Sequence, residues 1–172
     1  MNIIINLFGP SAAGKSTTAH LLQEKIDNLQ IVDFDVIKRQ IPGYDWQVHS
    51  QKGRDMTLEV LKSESQQRLP ILLLMPSARN GEEYERIQSI ADTNEYQLLN
   101  IEITAPEEIL IQRYKDRMQN IDPSKKGWKF KTVDEFKAKL KEVYYKPNNT
   151  VTLDTSQLAP EEIADNIFKL LN

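Results

Sequence analysis

Eight residues near the start of the chain have the types and spacing for chemistry. Gly9-Pro10-Ser11-Ala12-Ala13-Gly14-Lys15-Ser16 fits the phosphate-cradle pattern G-x-x-x-x-G-K-S/T at every position. The two glycines permit a tight turn in which successive amides and the start of the following helix face one anion. Lys15 can then reach the β- and γ-phosphates of a nucleoside triphosphate, and the Ser16 hydroxyl can ligate Mg²⁺. Two acids follow in Asp33-Phe34-Asp35. If they end a strand, its period of two puts both carboxylates on one side, with Phe34 turned away. One carboxylate can hold a metal-bound water while the other accepts a proton from a hydroxyl attacking the γ-phosphate. Asp35 could instead cap the helix that follows.

The surrounding elements must bring these residues together. Ile3, Ile4, Ile5, Leu7 and Phe8 form the nearly continuous apolar run of a central parallel strand, and Ala19, Leu22 and Ile26 recur at helical spacing from Thr17 onward. Leu29–Asp33 reads as a second strand, followed by a short helix through Val36, Ile37 and Ile41 that Pro42-Gly43 stops. A loop carrying Tyr44, Trp46 and His49 leads to a helix from about Gly53 to Arg68, with Met56, Val60 and Leu61 on one side. Pro70–Met75 is a third strand, and its end leads through Arg79 into a helix with Tyr84, Ile87 and Ile90. Gln97–Ile103 is a fourth strand. Thr104-Ala105-Pro106-Glu107 has the composition of a capped helix start, and that helix runs to about Met118. Residues 119–131 mix turn formers without a period and read as a mobile lid. Thr132-x-x-Glu135 is a second capping box, opening a helix to about Tyr145. Thr150–Asp154 is a fifth strand, and Pro160 opens a last helix with Ile163, Ile167, Leu170 and Leu171 facing the core. Regular alternation of strands and helices specifies an α/β architecture: a five-stranded parallel sheet with helices on both faces.

At 172 residues and 40% hydrophobic content, the chain is expected to form one domain, residues 1–172. It has no cysteine, which excludes disulfides, thiolate metal sites and cysteine nucleophiles. Met1 leads directly into the first strand and no apolar run approaches the roughly 18 residues of a membrane span, so a cytoplasmic protein without membrane contact is expected. Residues 113–146 hold eleven Lys and Arg against five acids, a local +6 that leaves −9 elsewhere in a chain of net charge −3. Such a segment suits an anionic ligand, although the lysines after Thr132 suit a solvated helix face as well.

Several enzyme classes bind triphosphates on such a loop. A guanine-reading Asn-Lys-x-Asp turn is missing, because Lys146-Pro147-Asn148-Asn149 lacks the aspartate. The third strand ends in Met75-Pro76-Ser77 without the acid that motor ATPases place there. With its acids after the second strand, the chain resembles the small P-loop kinases: shikimate, adenylylsulfate and gluconate kinases, chloramphenicol phosphotransferase and phage-type polynucleotide kinase. The resemblance rests on Gly9–Thr17, Asp33-Phe34-Asp35, Arg113-x-x-x-Arg117 after Ala105-Pro106, and Leu153-Asp154-Thr155. It implies a three-layer P-loop nucleoside triphosphate hydrolase fold with a lid at about 119–131.

It also implies the roles. Gly9, Ser11, Ala12, Ala13, Gly14, Lys15, Ser16 and Thr17 would bind ATP, joined by Arg113, Arg117 and Thr155 beside the adenine or the transferring phosphate. Ser16 and Asp33 would serve Mg²⁺. Lys15, Asp35 and Arg113 would be catalytic, with Asp35 orienting or deprotonating the acceptor hydroxyl. Arg39 is similar to the family's substrate arginine, with Lys38 as a rival, and Arg79 stands where these kinases contact the acceptor. His49, Trp46, Tyr44, Trp128 and Phe130 fit surface, capping or sealing roles at least as well as substrate contact. The expectation is transfer of a γ-phosphate from Mg-ATP to a small-molecule hydroxyl; a 5'-hydroxyl nucleic-acid or nucleotide kinase, or an ATPase switch without an acceptor, are the alternatives.

Overall fold

The structure, a computed structural model, describes residues 2–120 and 132–171. Its elements are β1 (Ile3–Phe8), α1 (Lys15–Lys25), β2 (Gln30–Asp33), α2 (Phe34–Ile37), α3 (Trp46–Glu64), β3 (Ile71–Leu74), α4 (Gly81–Thr93), β4 (Gln97–Thr104), α5 (Glu107–Gln119), α6 (Val133–Leu140), β5 (Val151–Asp154) and α7 (Pro160–Lys169). The five strands form one sheet in the order β2-β3-β1-β4-β5, and every pairing is parallel. The expected α/β architecture is present.

Alternation along each strand divides the core into two layers. Ile3, Ile5 and Leu7 of β1 join Leu72, Ile101 and Ile103 beneath α1, α5, α6 and α7. Ile4 and Val32 join Ile71 and Leu73 against Phe34, Leu58, Leu61 and Ile87 of α2, α3 and α4. Asn6 interrupts the apolar run of β1, and its amide donates to Asn100 Oδ1 at 2.9 Å. Asn100 is its partner in the β1–β4 register and donates onward to the Tyr84 hydroxyl and Asn149. A buried amide pair of this kind is satisfied in only one alignment of the strands.

Three boundaries and several buried faces differ from the sequence reading. α3 begins at Trp46, so Trp46 and His49 are helical and not in a loop; Asp45 caps the helix, accepting from the amides of Gln47 and Val48. Gly53 lies within α3 because a Cβ there would stand 3.0 Å from the Phe34 ring, so glycine serves close packing and does not mark a helix start. The buried stripe of α3 runs through Arg54, Thr57, Leu58 and Leu61, while Val60 is exposed. Thr104 ends β4 and does not cap α5, whose cap residue is Pro106. α6 is capped by Thr132 Oγ1 as expected but stops at Leu140 instead of Tyr145. Residues after it form a strap across the sheet, where Glu102 accepts from the Tyr144 hydroxyl, from Lys146 Nζ at 2.6 Å and from Thr152 Oγ1 at 2.9 Å. Just past α7, the cap residue Leu170 is exposed although Ile163 and Ile167 of the helix are buried. The expected lid, with Trp128 and Phe130, lies outside the described residues apart from its first positions on α5.

Candidate active site

In a parallel sheet of this order the ligand crevice lies at the carboxyl ends of the strands. There a cavity of about 1110 Å³ is lined by Gly9, Pro10, Ser11, Lys15 and Ser16 on one side and by the ends of β2 and β3 on the other. Pockets for one small molecule span roughly 300–1,000 Å³, so this cavity has room for a polyphosphate tail and a second ligand together.

The loop after β1 is held by backbone constraint. Gly9 has φ of +132°, and a Cβ on it would stand 2.1 Å from the Ile103 carbonyl oxygen, which excludes every other residue there. The Lys15 ammonium donates to the carbonyls of Gly9 at 2.9 Å and Pro10 at 2.8 Å, which fixes it at the cavity wall with a third proton available to an anion. Burial pulls its pKa down from 10.5 to about 8. Of the charges acting on it, Asp35 is the strongest, then Arg117, then Asp33. These four groups, drawn from three distant parts of the chain, line one cavity.

Asp33 and Asp35 both line the cavity, but not as a strand pair. Asp33 ends β2 and caps α2, accepting from the Asp35 amide at 2.6 Å, so Asp33 takes the capping role considered for Asp35. Burial raises the Asp33 pKa, which its hydrogen bonds from Asp35 and Val36 oppose. Asp35 lies in the first turn of α2, exposed and paired with Lys38. Asp33 therefore meets the cavity from the strand end and Asp35 from the first turn of the helix. Lys38 is held over the rings of Phe34 and Tyr44, 5.5 Å from each centroid, while Arg39 is exposed on the same wall.

The two arginines of α5 separate. Arg117 lines the cavity and Arg113 does not. Arg113 donates to the Thr155 hydroxyl at 2.7 Å and to the Thr155 carbonyl at 2.8 Å. That hydroxyl in turn donates toward the carbonyls of Ala13 at 3.0 Å and Thr104 at 3.1 Å. Residues four apart share a helix face but differ by about 6 Å along its axis, so their side chains can meet different partners. Thr155 and Arg113 together brace the back of the phosphate loop. Tyr114 stacks on Phe136 with centroids 4.3 Å apart, which fixes α6 against α5 beside Arg117.

Arg79 lies where expected after β3. Its guanidinium donates to Ser50 Oγ at 3.0 Å and Gln51 Oε1 at 3.2 Å, and its amide donates to Glu83 at 2.7 Å. His49 does not line the cavity; its Nδ1 accepts from the Asp45 amide at 2.9 Å, a capping role. Sequence reading passed over Arg54. It is 2% exposed, ion-paired with Glu83 at 2.7 Å, and donates to the carbonyls of Pro76 and Ser77 at 3.3 and 3.2 Å. A cation at i−4 from Leu58 and i−7 from Leu61, on the apolar stripe of α3, was the available signal.

For Mg²⁺, the oxygens of Ser16 and Asp33, which both line the cavity, are the donor types this ion takes when phosphates and waters complete its shell. Among the described residues no group of three or more His, Cys, Asp or Glu could hold a metal by itself. No described helix is long and apolar enough to cross a membrane.

A cradle after β1, acids after β2 and cations from α5 and β3 define the P-loop kinase fold. The chain belongs to the AAA domain family, whose profile matches residues 4–143. Among solved structures it is similar to a candidate kinase from Chloroflexus aurantiacus, at 17% identity and TM-score 0.72, over 98% of this chain and 95% of the other. It is also similar to the adenylylsulfate (APS) kinase of Mycobacterium tuberculosis in complex with AMPPNP and APS, at 16% identity and TM-score 0.65, over 99% and 97%. Shikimate kinase from Aquifex aeolicus matches at 23% identity and TM-score 0.57, over 98% and 96%. Among curated proteins no relative matches.

Proposed function

We propose that this protein transfers the γ-phosphate of Mg-ATP to a hydroxyl of a small-molecule acceptor. The observation that carries the reading is that Lys15, Asp33, Asp35 and Arg117 all line one cavity wide enough for two ligands. The phosphate loop and Lys15 hold the triphosphate. Mg²⁺, held by Ser16 and by Asp33 through water, would neutralise charge on the β- and γ-phosphates. The acceptor oxygen forms a bond to the γ-phosphorus, the bond from that phosphorus to the oxygen of ADP breaks, and the hydroxyl proton passes to Asp35. Arg117, and not Arg113, is the guanidinium placed to meet charge on the transferring group, while Arg113 acts through Thr155 on the loop.

A panel of hydroxyl-bearing metabolites, nucleosides, antibiotics and 5'-hydroxyl oligonucleotides is screened for acceptor-dependent ADP release. Asp35→Asn is expected to bind the nucleotide as tightly as the parent protein and to lose transfer by a factor of about 10² to 10⁴, the usual worth of a positioned base. Steady ADP release that no compound stimulates, unchanged in Asp35→Asn, would overturn the reading in favour of an ATPase.

A further inference from the structure

Arg54 of α3 and Glu83 of α4 are both buried and form an ion pair at 2.7 Å. Taking two charges out of water is costly, and apolar residues of similar volume in place of such a pair are often neutral to stability or better. The Arg54 Nε–H has no partner among the described residues, which adds to that cost. What the two ions supply, and apolar side chains could not, is a set of directed bonds to the loop that follows β3. Arg54 Nη1 donates to the Pro76 carbonyl at 3.3 Å and Nη2 to the Ser77 carbonyl at 3.2 Å. Glu83 gives one oxygen to Arg54 and accepts with the other from the Arg79 amide at 2.7 Å. Between them the Ala78 carbonyl accepts from the Tyr145 amide at 2.8 Å. The Arg79 guanidinium is itself held by Ser50 and Gln51 of α3. Past Leu74 the chain has left the sheet, yet α3, α4 and the strap fix it.

The topology says why that loop must be fixed. The sheet order puts β3 between β2 and β1, and Leu74 is in register with Asp33 on one side and Leu7 on the other. The chain that leaves β3 therefore enters the crevice between the acids that follow β2 and the phosphate loop that follows β1. An acceptor presented to Asp35 and to the γ-phosphate lies in that interval, and Ser77 and Arg79 line the cavity there.

We infer that Arg54 and Glu83 are positioning residues, which fix the loop of residues 76–79 as a wall of the acceptor subsite and act on the reaction through Ser77 and Arg79. The inference rests on the kinase reading, but its first readout does not use turnover. Arg54→Lys retains a cation for Glu83 and loses the fork that spans two carbonyls. Arg54→Met combined with Glu83→Met fills the volume and removes every bond to the loop. Amide hydrogen exchange is compared in parent and variants, each saturated with Mg-AMPPNP. Exchange over residues 77–80 is expected to quicken about tenfold or more in both variants, with β1 and α1 and the affinity for Mg-AMPPNP unchanged. With an acceptor from the panel, kcat is expected to fall about 10²-fold, the cost of a displacement of about 1 Å, and the lysine is not expected to rescue it. A pair that served only to neutralise buried charge would be satisfied by that lysine. Should the double variant not fold, Arg54→Lys decides. Loop exchange in Arg54→Lys that is unchanged, or that quickens no more than in β1 and α1, overturns the inference, as does full acceptor turnover in that variant. A panel in which no compound stimulates ADP release bears on the phosphotransfer reading alone, because the exchange result stands without it.

Discussion

Lys15 gives the most quantitative test of how the cavity handles charge. Its ammonium is buried against the Gly9 and Pro10 carbonyls, and its pKa in the free protein falls from 10.5 to about 8. A bound triphosphate brings several negative charges to the third proton and raises that pKa again. A group whose pKa is higher in the complex gives affinity that is fully present below the free-state pKa and is lost as pH rises through it. Affinity for Mg-AMPPNP is therefore expected to be level up to about pH 8 and then to fall about tenfold per unit, or about 1.4 kcal/mol. The available shift, from about 8 toward 10.5, limits the total loss to about a few hundredfold if the complex restores the ordinary value. Stability of the ligand-free fold must move the opposite way. Lys15 is depressed in the folded state, so between about pH 8 and 10.5 the unfolded chain binds the extra proton and its titration makes the fold more stable as pH rises. Calorimetric affinities and thermal melts over the same buffers measure both, with Lys15→Ala as the control whose affinity lacks the step. Parent affinity unchanged to about pH 9.5, or a step that persists in Lys15→Ala, would refute the assignment of Lys15 as the buried phosphate-facing cation.

Other substitutions probe the supports of the site. Gly9→Ala forces a Cβ to 2.1 Å from the Ile103 carbonyl at φ of +132°, so it is expected to abolish nucleotide binding and lower the thermal midpoint sharply. Thr155→Val removes the hydroxyl that links Arg113 to Ala13 and Thr104; a loss of about 1–3 kcal/mol in denaturant melts, with weaker Mg-AMPPNP binding, is expected. Glu102 is held below its usual pKa, against the opposing effect of burial, by its bonds from Lys146, Tyr144 and Thr152. Its contribution is present above the unfolded carboxylate pKa and lost as pH falls through the folded one, so Glu102→Gln should flatten part of the loss of stability on acidification, measured by melts from neutral pH downward.

The local pattern of residues determined the cradle, the parallel sheet and most helix positions, because strand and helix periodicities and a motif of fixed spacing are properties of contiguous chain. It named Lys15, Ser16, Asp33, Asp35, Arg79 and Arg117, all of which line one cavity. Packing decided the rest. Asp33, and not Asp35, caps α2 because β2 ends one residue before the helix begins, which no period of two foretells. Arg113 turned to Thr155, 42 positions away, and Arg54 met Glu83 across two helices; both pairings depend on which elements the sheet order makes neighbours. Gly53 marks the Phe34 ring, and Asn6 marks Asn100, on elements distant in the chain. A sequence displays the spacing of residues along one element, but which donors and charges are left for a ligand is known only after distant elements have satisfied one another.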